Sequence, residues 1–298
     1  MVGEGRRDTK GVGELEASRK KEAEIRVGTS AFTAEGWEGT FYPKGLAARE
    51  QLTYYATQFD TVELDNTFYR TPAISTVRGW YAKTPPGFVF AAKVPQVVTH
   101  EKVLVDCDAD LKHFLETMDE LKEKLGPLLF QFGYFNKSKF KSGAEFLARL
   151  KPFLKKLPKG YQFAVEIRNK YWLDARFADL LREHGVALAL IDQSWVPRPW
   201  EMKEKFDLIT ADFTYVRWLG DRKGIEEQTK TWDKTIIDRE AEIAEWVEIL
   251  KRVVARGIKT FAYANNHYAL CRRRHKAYNA AFRIMPNCVT SPAPFPLD

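Results

Sequence analysis

The chain has 298 residues, of which 45% are hydrophobic, 29% charged and 13% aromatic, with a formal net charge of +7. No apolar run approaches the roughly 20 residues of a membrane span, and the three scattered cysteines argue against a disulfide framework or a cysteine zinc site. Residues 1–24 are charged and Gly-rich without the apolar centre of a signal peptide, so we expect a flexible tail on a cytoplasmic protein.

Short apolar and β-branched segments recur along the chain and predict strands. They cover residues 25–30, 61–66, 88–95, 127–132, 163–168, 186–192, 213–218 and 259–266. Apolar residues at three- and four-residue spacing predict helices over 47–59, 73–83, 109–125, 144–157, 174–184 and 238–256. The connection after the sixth strand contains Pro197 and Pro199, so its helix is expected to be short or replaced by a loop.

This alternation of eight strands with helices favours one closed (β/α)₈ TIM-type barrel over an open doubly wound sheet. We place the barrel at residues 25–287, with an unstructured carboxyl-terminal tail over 288–298. A GxGxxG sequence after the first strand and a Walker sequence are both absent from the chain, which weakens the nucleotide-binding alternatives.

Alternate residues of a strand share a face, so the residues that face the barrel axis can be inferred from the sequence. In "FAVEIR" (163–168), Val165 and Ile167 are expected to face the helices, which leaves Glu166 and Arg168 inside. The same reasoning places these further polar residues inside, at or near the carboxyl ends of their strands: Glu63, Asp65, Lys93, Gln131, Asp192, Arg217 and Asn265. Barrel enzymes build their sites at that end.

The charged members of this inward set are four acids and three bases, which can neutralise one another in an empty pocket. They could form an ion network that only plugs the barrel mouth, but charged plugs stabilise less than apolar packing, so we favour a functional pocket. The candidate catalytic acids and bases are Glu63, Glu166 and Asp192, and the candidate anion-binding residues are Lys93, Arg168 and Arg217. Replacing Arg168 or Arg217 with methionine is expected to abolish ligand binding without unfolding the barrel.

Glu166 is expected to find its principal partner on another strand, because Arg168 lies about 6–7 Å away along its own strand. Lys93 or Arg217 could reach it across the mouth, but chain order makes Gln131 and Asp192 its nearest neighbours. A neighbouring Asp192 would raise the pKa of one carboxyl group and create a general acid near neutral pH. Arg168 would then hold the substrate anion.

Eight motifs, in order between about residues 25 and 268, resemble the YecE-like family, also known as domain of unknown function seventy-two. They are "GTSAFTAEGWEGTFYP", "TVELDNTFY", "FVFAAKVP", "THE", "KLGPLLFQF", "FAVEIRNKYW", "YVRWLG" and "YANN". The resemblance implies a TIM-type barrel without an established reaction, similar to endonuclease IV and sugar isomerases, for which nucleic-acid processing has been suggested. Asp65, Asn169 and Leu219 stand where the family often has asparagine, histidine and histidine, and each change removes a candidate proton carrier or metal ligand.

Of the five histidines, only His100 and His267 are expected to reach the barrel mouth. With carboxylates such as Asp65 they could hold one divalent ion, although nothing in the sequence requires a metal or another cofactor. Gln131, Asn265 and Asn266 are further candidates for binding polar groups. Among the loop aromatics, Trp37, Tyr69 and Trp172 are favoured for stacking on a ligand because they lie in the family motifs.

Two functions stay open. The first is an enzyme, a hydrolase or another acid–base catalyst, that acts on an anionic, phosphate-bearing or nucleic-acid-derived ligand at the barrel mouth. The second is a barrel that binds nucleic acid without catalysis, as the sequence pI of about 9.1 and the basic run Arg272–Arg274 suggest. No membrane partner is expected, and the sequence determines neither the substrate nor the oligomeric state.

Overall fold

The computed structural model describes residues 23–220 and 240–265, which form a ring of eight parallel strands surrounded by helices. The strands are β1 Ile25–Thr29, β2 Thr61–Leu64, β3 Val89–Lys93, β4 Leu125–Gln131, β5 Phe163–Glu166, β6 Ala187–Asp192, β7 Phe213–Trp218 and β8 Lys259–Ala264. The predicted TIM-type barrel is therefore confirmed. The predicted tails fall outside the described residues, apart from Ala23 and Glu24.

The helices follow the predicted periodicity to within a few residues, except that the helix predicted over 109–125 ends at Met118 and is followed by a 3-10 segment, Asp119–Lys124. They are α1 Gln51–Gln58, α2 Ile74–Ala82, α3 Asp108–Met118, α4 Gly143–Lys156, α5 Ala175–Glu183, α6 Pro199–Met202 and α7 Glu240–Ala255. The connection after β6 contains only the short α6, as the two prolines indicated. None of the helices in the described ranges combines the length and apolarity needed to cross a membrane.

The fourth strand begins earlier than its sequence suggested. Gly126 and Pro127 lie inside β4, which starts at Leu125, although Gly-Pro normally marks a turn. The pairing with β3 shifts register between Phe90 and Ala92, so a bulge accommodates the proline. A Cβ at Gly126 would overlap the Val89 side chain, so glycine is needed for this close approach.

The strands pair in the order β1-β8-β7-β6-β5-β4-β3-β2, and side chains close the remaining seam between β1 and β2. The Tyr55 hydroxyl accepts from the Thr29 amide at 3.0 Å and donates to the Thr61 carbonyl at 3.1 Å. The Tyr263 hydroxyl lies 2.9 Å from Thr61 Oγ1. Gly28 permits this approach, because a Cβ there would overlap the Thr61 carbonyl.

Two apolar layers position the carboxyl-end mouth of the barrel. The outer layer packs the strands against the helices. The inner layer fills the barrel axis with Ala91, Leu129, Ala164, Ala187, Ala189, Phe213, Tyr215, Phe261 and Tyr263. Large aromatic side chains on β7 and β8 occupy the space left by alanines on β3, β5 and β6. This packed layer forms a floor, and the polar inward residues lie at its upper edge.

We predict that Gly28→Ala lowers the free energy of unfolding by about 1–3 kcal/mol, because the added methyl group must displace β1 from β2. Gly79→Ala is the matched control: it lies within α2, and its Cβ would meet nothing within 4 Å. That change should stabilise the protein by about 0.5–1 kcal/mol. Urea denaturation followed by circular dichroism measures both. Equal stabilities of the two variants would contradict the role of Gly28 at the seam.

Candidate functional site

One buried arginine holds two buried glutamates at the carboxyl ends of three strands. Arg217 on β7 donates from Nε and Nη2 to the Glu63 carboxylate at 2.9 and 2.8 Å, and from Nη1 to Glu166 at 2.7 Å. The Tyr215 hydroxyl donates to Glu63 Oε2 at 2.6 Å. All four side chains are buried. The guanidinium thus joins β2, β5 and β7 across the mouth, and we call these four residues the buried ion cluster.

Charges within and beside the buried ion cluster shift the pKa values of Glu166 and Arg217. Burial alone would raise the pKa of Glu166, but the positive charges of Arg217, Arg168 and Lys93 outweigh it and hold that pKa below its usual value. Burial would likewise lower the pKa of Arg217, but the two glutamates raise it well above its ordinary range. The expected general acid, one carboxyl group of a Glu166–Asp192 pair with a raised pKa, is therefore not found at Glu166.

Asp192 does not face the barrel axis, so the expectation that it lies beside Glu166 is wrong. Its partner in register on β7 is Trp218, which packs in the outer layer, and its carboxylate pairs with Arg198 from the following loop. The outer layer holds Leu188 and Leu190, whereas the inner layer holds Ala187 and Ala189. The sequence placed the larger leucines inside, but the aromatics of β7 and β8 leave room only for alanines. Glu166 contacts Arg217 and Arg168 instead.

A second, more solvent-accessible layer of charge lies beside the buried ion cluster. Lys93 Nζ lies 2.7 Å from Asp65 Oδ1 and 4.3 Å from the centre of the Phe68 ring. The Arg168 side chain is 28% exposed, and its Nε donates to Glu166 at 3.3 Å. Within the described part of the chain, the two Nη groups of Arg168 have no hydrogen-bond partner. Arg168 therefore keeps free donors at the mouth.

His100 lies close to these cations. A Thr99 Oγ1–His100 Nδ1 hydrogen bond of 2.8 Å orients its ring, and the Phe68 ring meets it edge-on with centres 5.0 Å apart. Partial burial lowers the pKa of His100, and the charges of Lys93 and Arg168 lower it further. A neutral imidazole is thus present beside positive charge at neutral pH.

The segment that carries His100 has an unusual backbone. A single π-helical turn, Val97–Glu101, directly follows β3. Val103, Leu104 and Asp106 then adopt φ angles of 47°, 67° and 50°, in the left-handed region that non-glycine residues avoid. Val103 and Leu104 are buried, so packing holds the strained backbone in place. Such turns and strain concentrate at functional sites, which favours His100 as a functional residue.

Two further residues predicted to face inward, Gln131 and Asn265, lie at the carboxyl ends of β4 and β8. Gln131 is paired in register with Glu166 and is 5% exposed. Asn265 donates from its backbone to the Trp218 carbonyl at 3.0 Å and from Nδ2 to the Leu219 carbonyl at 3.4 Å. Asn266 and His267 lie outside the described residues. Over residues 23–220 and 240–265 no three His, Cys, Asp or Glu side chains are grouped to hold a metal ion, so the His100–Asp65 metal site stays a prediction.

Two of the three favoured aromatics are packed into the protein. Trp37 is 5% exposed and contacts the rings of Phe41 and Tyr42. Trp172 stacks on Phe146 with ring centres 5.3 Å apart, and it anchors the loop after β5 to α4. Both tryptophans therefore pack the loops against the protein, which corrects their assignment as platforms for stacking on a ligand. Tyr69 is 70% exposed beside the mouth.

Two positions that depart from the family pattern have structural roles here. The Asn169 side chain accepts from the Phe135 amide at 2.9 Å and donates to the Phe135 carbonyl at 2.8 Å, which fastens the loop after β4 to the loop after β5. Leu219 packs with Ile191 and Val196 in a small apolar cluster. The strands β6 and β7 therefore present an apolar side of the mouth opposite the charged residues of β2 and β3.

Two partners of the charged residues are not among the site residues predicted from the sequence. Tyr215 was detectable, because it precedes Arg217 by two residues and therefore shares its face. Arg198, the partner of Asp192, lies in a loop with no periodic signal, so only the folded chain brings it to the strand end.

Comparison with known proteins gives consistent matches. A family model described as protein of unknown function DUF72 matches residues 26–284. The UPF0759 protein YecE of Escherichia coli K12 is 30% identical over 118 residues, 40% of this chain and 41% of that protein. The UPF0759 protein YunF of Bacillus subtilis 168 is 29% identical over 150 residues, 48% of this chain and 51% of that protein. The matched segments thus span about half, or less, of these relatives.

Solved structures extend the similarity to most of the chain. A DUF72 family protein from Thermotoga maritima MSB8 is 27% identical, covers 87% of this chain and 99% of its own, and superposes with a TM-score of 0.66. A DUF72 family protein from Enterococcus faecalis V583 is 21% identical, covers 86% and 99%, and gives a TM-score of 0.59, which supports the fold alone.

We predict that Arg217→Met lowers the free energy of unfolding by about 3–5 kcal/mol, because it leaves Glu63 and Glu166 buried without a counter-charge. This revises the expectation that the change leaves the barrel folded as before. Arg182→Met is the control: Arg182 pairs with the 70% exposed Asp179, so the change should cost less than about 1 kcal/mol. Adding Glu63→Gln and Glu166→Gln to Arg217→Met should recover part of the loss. Equal denaturation midpoints for Arg217→Met and Arg182→Met would contradict the prediction.

We also predict that His100 titrates below the ordinary histidine pKa of about 6.5 and that Arg168→Met raises its pKa by removing a nearby positive charge. Proton NMR of the imidazole Cε1–H resonance, assigned with His100→Asn, measures both values. Arg182→Met should leave the titration unchanged. A His100 pKa that does not move in Arg168→Met would show that the two side chains are not coupled.

Proposed function

We propose that this chain, which belongs to the DUF72 family of proteins of unknown function, is an enzyme that performs acid–base chemistry on a small anionic ligand at the barrel mouth. A phosphate-bearing or nucleic-acid-derived ligand fits best. The observation that carries the proposal is that Arg168 is held at Nε by Glu166, while its two Nη groups have no hydrogen-bond partner among residues 23–220 and 240–265. Planar arginine donors match the oxygens of phosphate and carboxylate groups.

The anion would bind through Arg168 and Lys93. Lys93 is already paired with Asp65, but that carboxylate is 42% exposed and can turn toward water when a ligand anion arrives. Arg217 is less suited to this role, since each of its three nitrogens already donates to Glu63 or Glu166 and its side chain is buried. The ligand therefore meets two cations and replaces one carboxylate, which keeps the mouth close to electrical neutrality.

His100 is the proton acceptor in this proposal. Its pKa is held down by burial and by Lys93 and Arg168, so it is uncharged at neutral pH and can take a proton from a substrate hydroxyl group or a water molecule. When His100 becomes protonated, the bound anion offsets the repulsion of the two cations. Binding of the anion and acceptance of the proton therefore support each other.

Glu63 and Glu166 have an indirect role. Both are bound to Arg217, and Glu166 also accepts from Arg168 Nε at 3.3 Å. Glu166 orients Arg168, and Glu63 holds Arg217, so we assign proton transfer to His100. Hydrolysis is one reaction that this arrangement supports, with His100 activating water next to a bound phosphate group.

A barrel that binds nucleic acid without catalysis is the second candidate. Four large aromatic side chains on the loops after β2, β4, β5 and β6 are more than half exposed, and flat exposed rings suit stacking on bases. They are Tyr69 at 70%, Tyr134 at 73%, Tyr171 at 84% and Trp195 at 52%. This candidate requires no conversion of the ligand, which separates it experimentally from the first.

A thermal-shift screen of nucleoside monophosphates, oligonucleotides and sugar phosphates, with and without Mg²⁺, tests the proposal. A ligand at about 100 times its Kd adds about 2.7 kcal/mol to the free energy of unfolding and should raise Tm by about 4–5 °C for a chain of this length. We predict that Arg168→Met abolishes the shift, whereas Arg182→Met keeps it. Arg182 is a suitable control because it is also a partly exposed, carboxylate-paired arginine.

His100→Asn distinguishes the two candidates. It should retain the thermal shift but stop conversion of the stabilising ligand, measured by chromatography of the incubated mixture. Undiminished conversion in His100→Asn would remove His100 from the mechanism. An unchanged thermal shift in Arg168→Met would contradict the proposed anion site, and binding without any conversion by the wild-type protein would favour the second candidate.

A further inference from the structure

The loops after β4 and β5 together carry a concentrated group of exposed basic and aromatic side chains. Its members are Tyr134, Lys137, Lys139, Lys141, Lys170 and Tyr171, all of them exposed. We call this group the basic–aromatic sector. Arg168 lies two residues before Lys170, so the sector is continuous in sequence with the proposed anion site. None of these six residues was among the predicted site residues.

The sector is built on a fixed support. The Asn169 side chain binds both backbone polar groups of Phe135 and so fastens its two loops to each other. Phe140 is 2% exposed and packs between Phe135 and Phe146, so the lysines on either side of it must point away from the core. Asn136 Oδ1 accepts from the amides of Ser138 and Lys139 at 3.1 and 3.2 Å, which holds the tip of the loop. The lysines are therefore presented by an ordered loop.

The positive charge of the sector is not neutralised by the protein. Within residues 23–220 and 240–265, none of its four lysines has a carboxylate within salt-bridge distance. The two acids next to these loops have other partners: Glu145 accepts from the Lys141 backbone amide at 2.6 Å, and Asp174 binds Arg176 at 2.6 Å. Such a surface attracts a polyanion.

The tyrosines make the surface suited to one class of polyanion. Tyr134 is 73% exposed and Tyr171 is 84% exposed, so both offer ring area to a ligand. Lys170 Nζ lies 4.9 Å from the centre of the Tyr171 ring, which places a cation where a base and its phosphate would meet. Aromatic platforms beside basic side chains are the usual means of binding unpaired bases, whereas the bases of a duplex already stack on one another.

We infer that the basic–aromatic sector binds single-stranded nucleic acid, with bases stacked on Tyr134 and Tyr171 and phosphates held by Lys137, Lys139, Lys141 and Lys170. This deepens the proposed function by naming its substrate class. It rests on that proposal only for the step in which a phosphate of the bound strand reaches Arg168. The binding itself depends on the six side chains of the sector.

Fluorescence anisotropy with labelled 12-nucleotide oligo-dT and oligo-rU tests the inference, with a 12-base-pair duplex as comparison. The triple change Lys137→Ser, Lys139→Ser and Lys141→Ser should weaken binding of the single strands at least ~10-fold at low salt. It should also reduce the slope of log Kd against log salt by about 2, because each lost phosphate contact contributes about 0.7. The matched control changes Lys83, Lys159 and Lys205, which are exposed near the amino ends of β3, β5 and β7. That control should leave the affinity within about 2-fold, because distant charges are screened at that range.

The tyrosines have their own matched pair of variants. Tyr134→Ala with Tyr171→Ala should weaken binding about 5- to 150-fold for each base that loses its platform, while Tyr134→Phe with Tyr171→Phe keeps the rings and should retain the affinity. The oligo-dT and oligo-rU arms show whether DNA and RNA bind alike, and either result supports the inference.

Four results would overturn it: no binding of either single strand, equal losses in the two lysine triples, equal competition by poly-glutamate of the same charge, or a duplex that binds as tightly as the single strands. Arg168→Met separates this inference from the proposed function. If oligonucleotide binding needs the sector but is unchanged in Arg168→Met, the surface inference stands and the route to the anion site fails.

Discussion

The guanidinium of Arg217 is the interaction on which the barrel mouth depends. Two glutamates at the ends of β2 and β5 are tolerated in a buried position because one arginine contacts both of them. Removing Arg217 would leave both carboxylates buried without the guanidinium that contacts them, which costs several kcal/mol. The geometry is in turn set by the aromatic floor, since Tyr215 of that floor donates to Glu63.

Above the buried ion cluster, polar groups become progressively less satisfied by the protein. Arg217 uses all three of its nitrogens on carboxylates, whereas Arg168 uses one. A ligand gains little from groups that the protein already satisfies, because it must first break their existing hydrogen bonds. Binding capacity is therefore concentrated in the partly exposed layer of Arg168, Lys93 and His100, and the buried layer gives that capacity a fixed position.

The loops contribute rigidity in two different ways. The strained turn after β3 is held by the burial of Val103 and Leu104, and it presents His100 beside the mouth. The loops after β4 and β5 are held by the Asn169–Phe135 hydrogen bonds and by the ring packing around Phe140. Ordering these loops before a ligand arrives reduces the entropy lost on binding, which is the physical advantage of a preformed site.

The sequence by itself determined the barrel and most of its inner face. Alternation along β2, β3, β5 and β7 correctly placed Glu63, Lys93, Glu166 and Arg217 inside, because each of these strands has charge on one face and apolar residues on the other. It failed for β6, where both faces are apolar: Asp192 was assigned to the axis with Leu188 and Leu190, but all three face the outer layer. Only the tertiary structure decided which groups are paired and which stay free, since Arg217, Glu63 and Glu166 meet across the barrel and Arg198 reaches Asp192 from a loop. Local periodicity sets the direction of a side chain, but the choice of its partner depends on how distant strands pack around one axis.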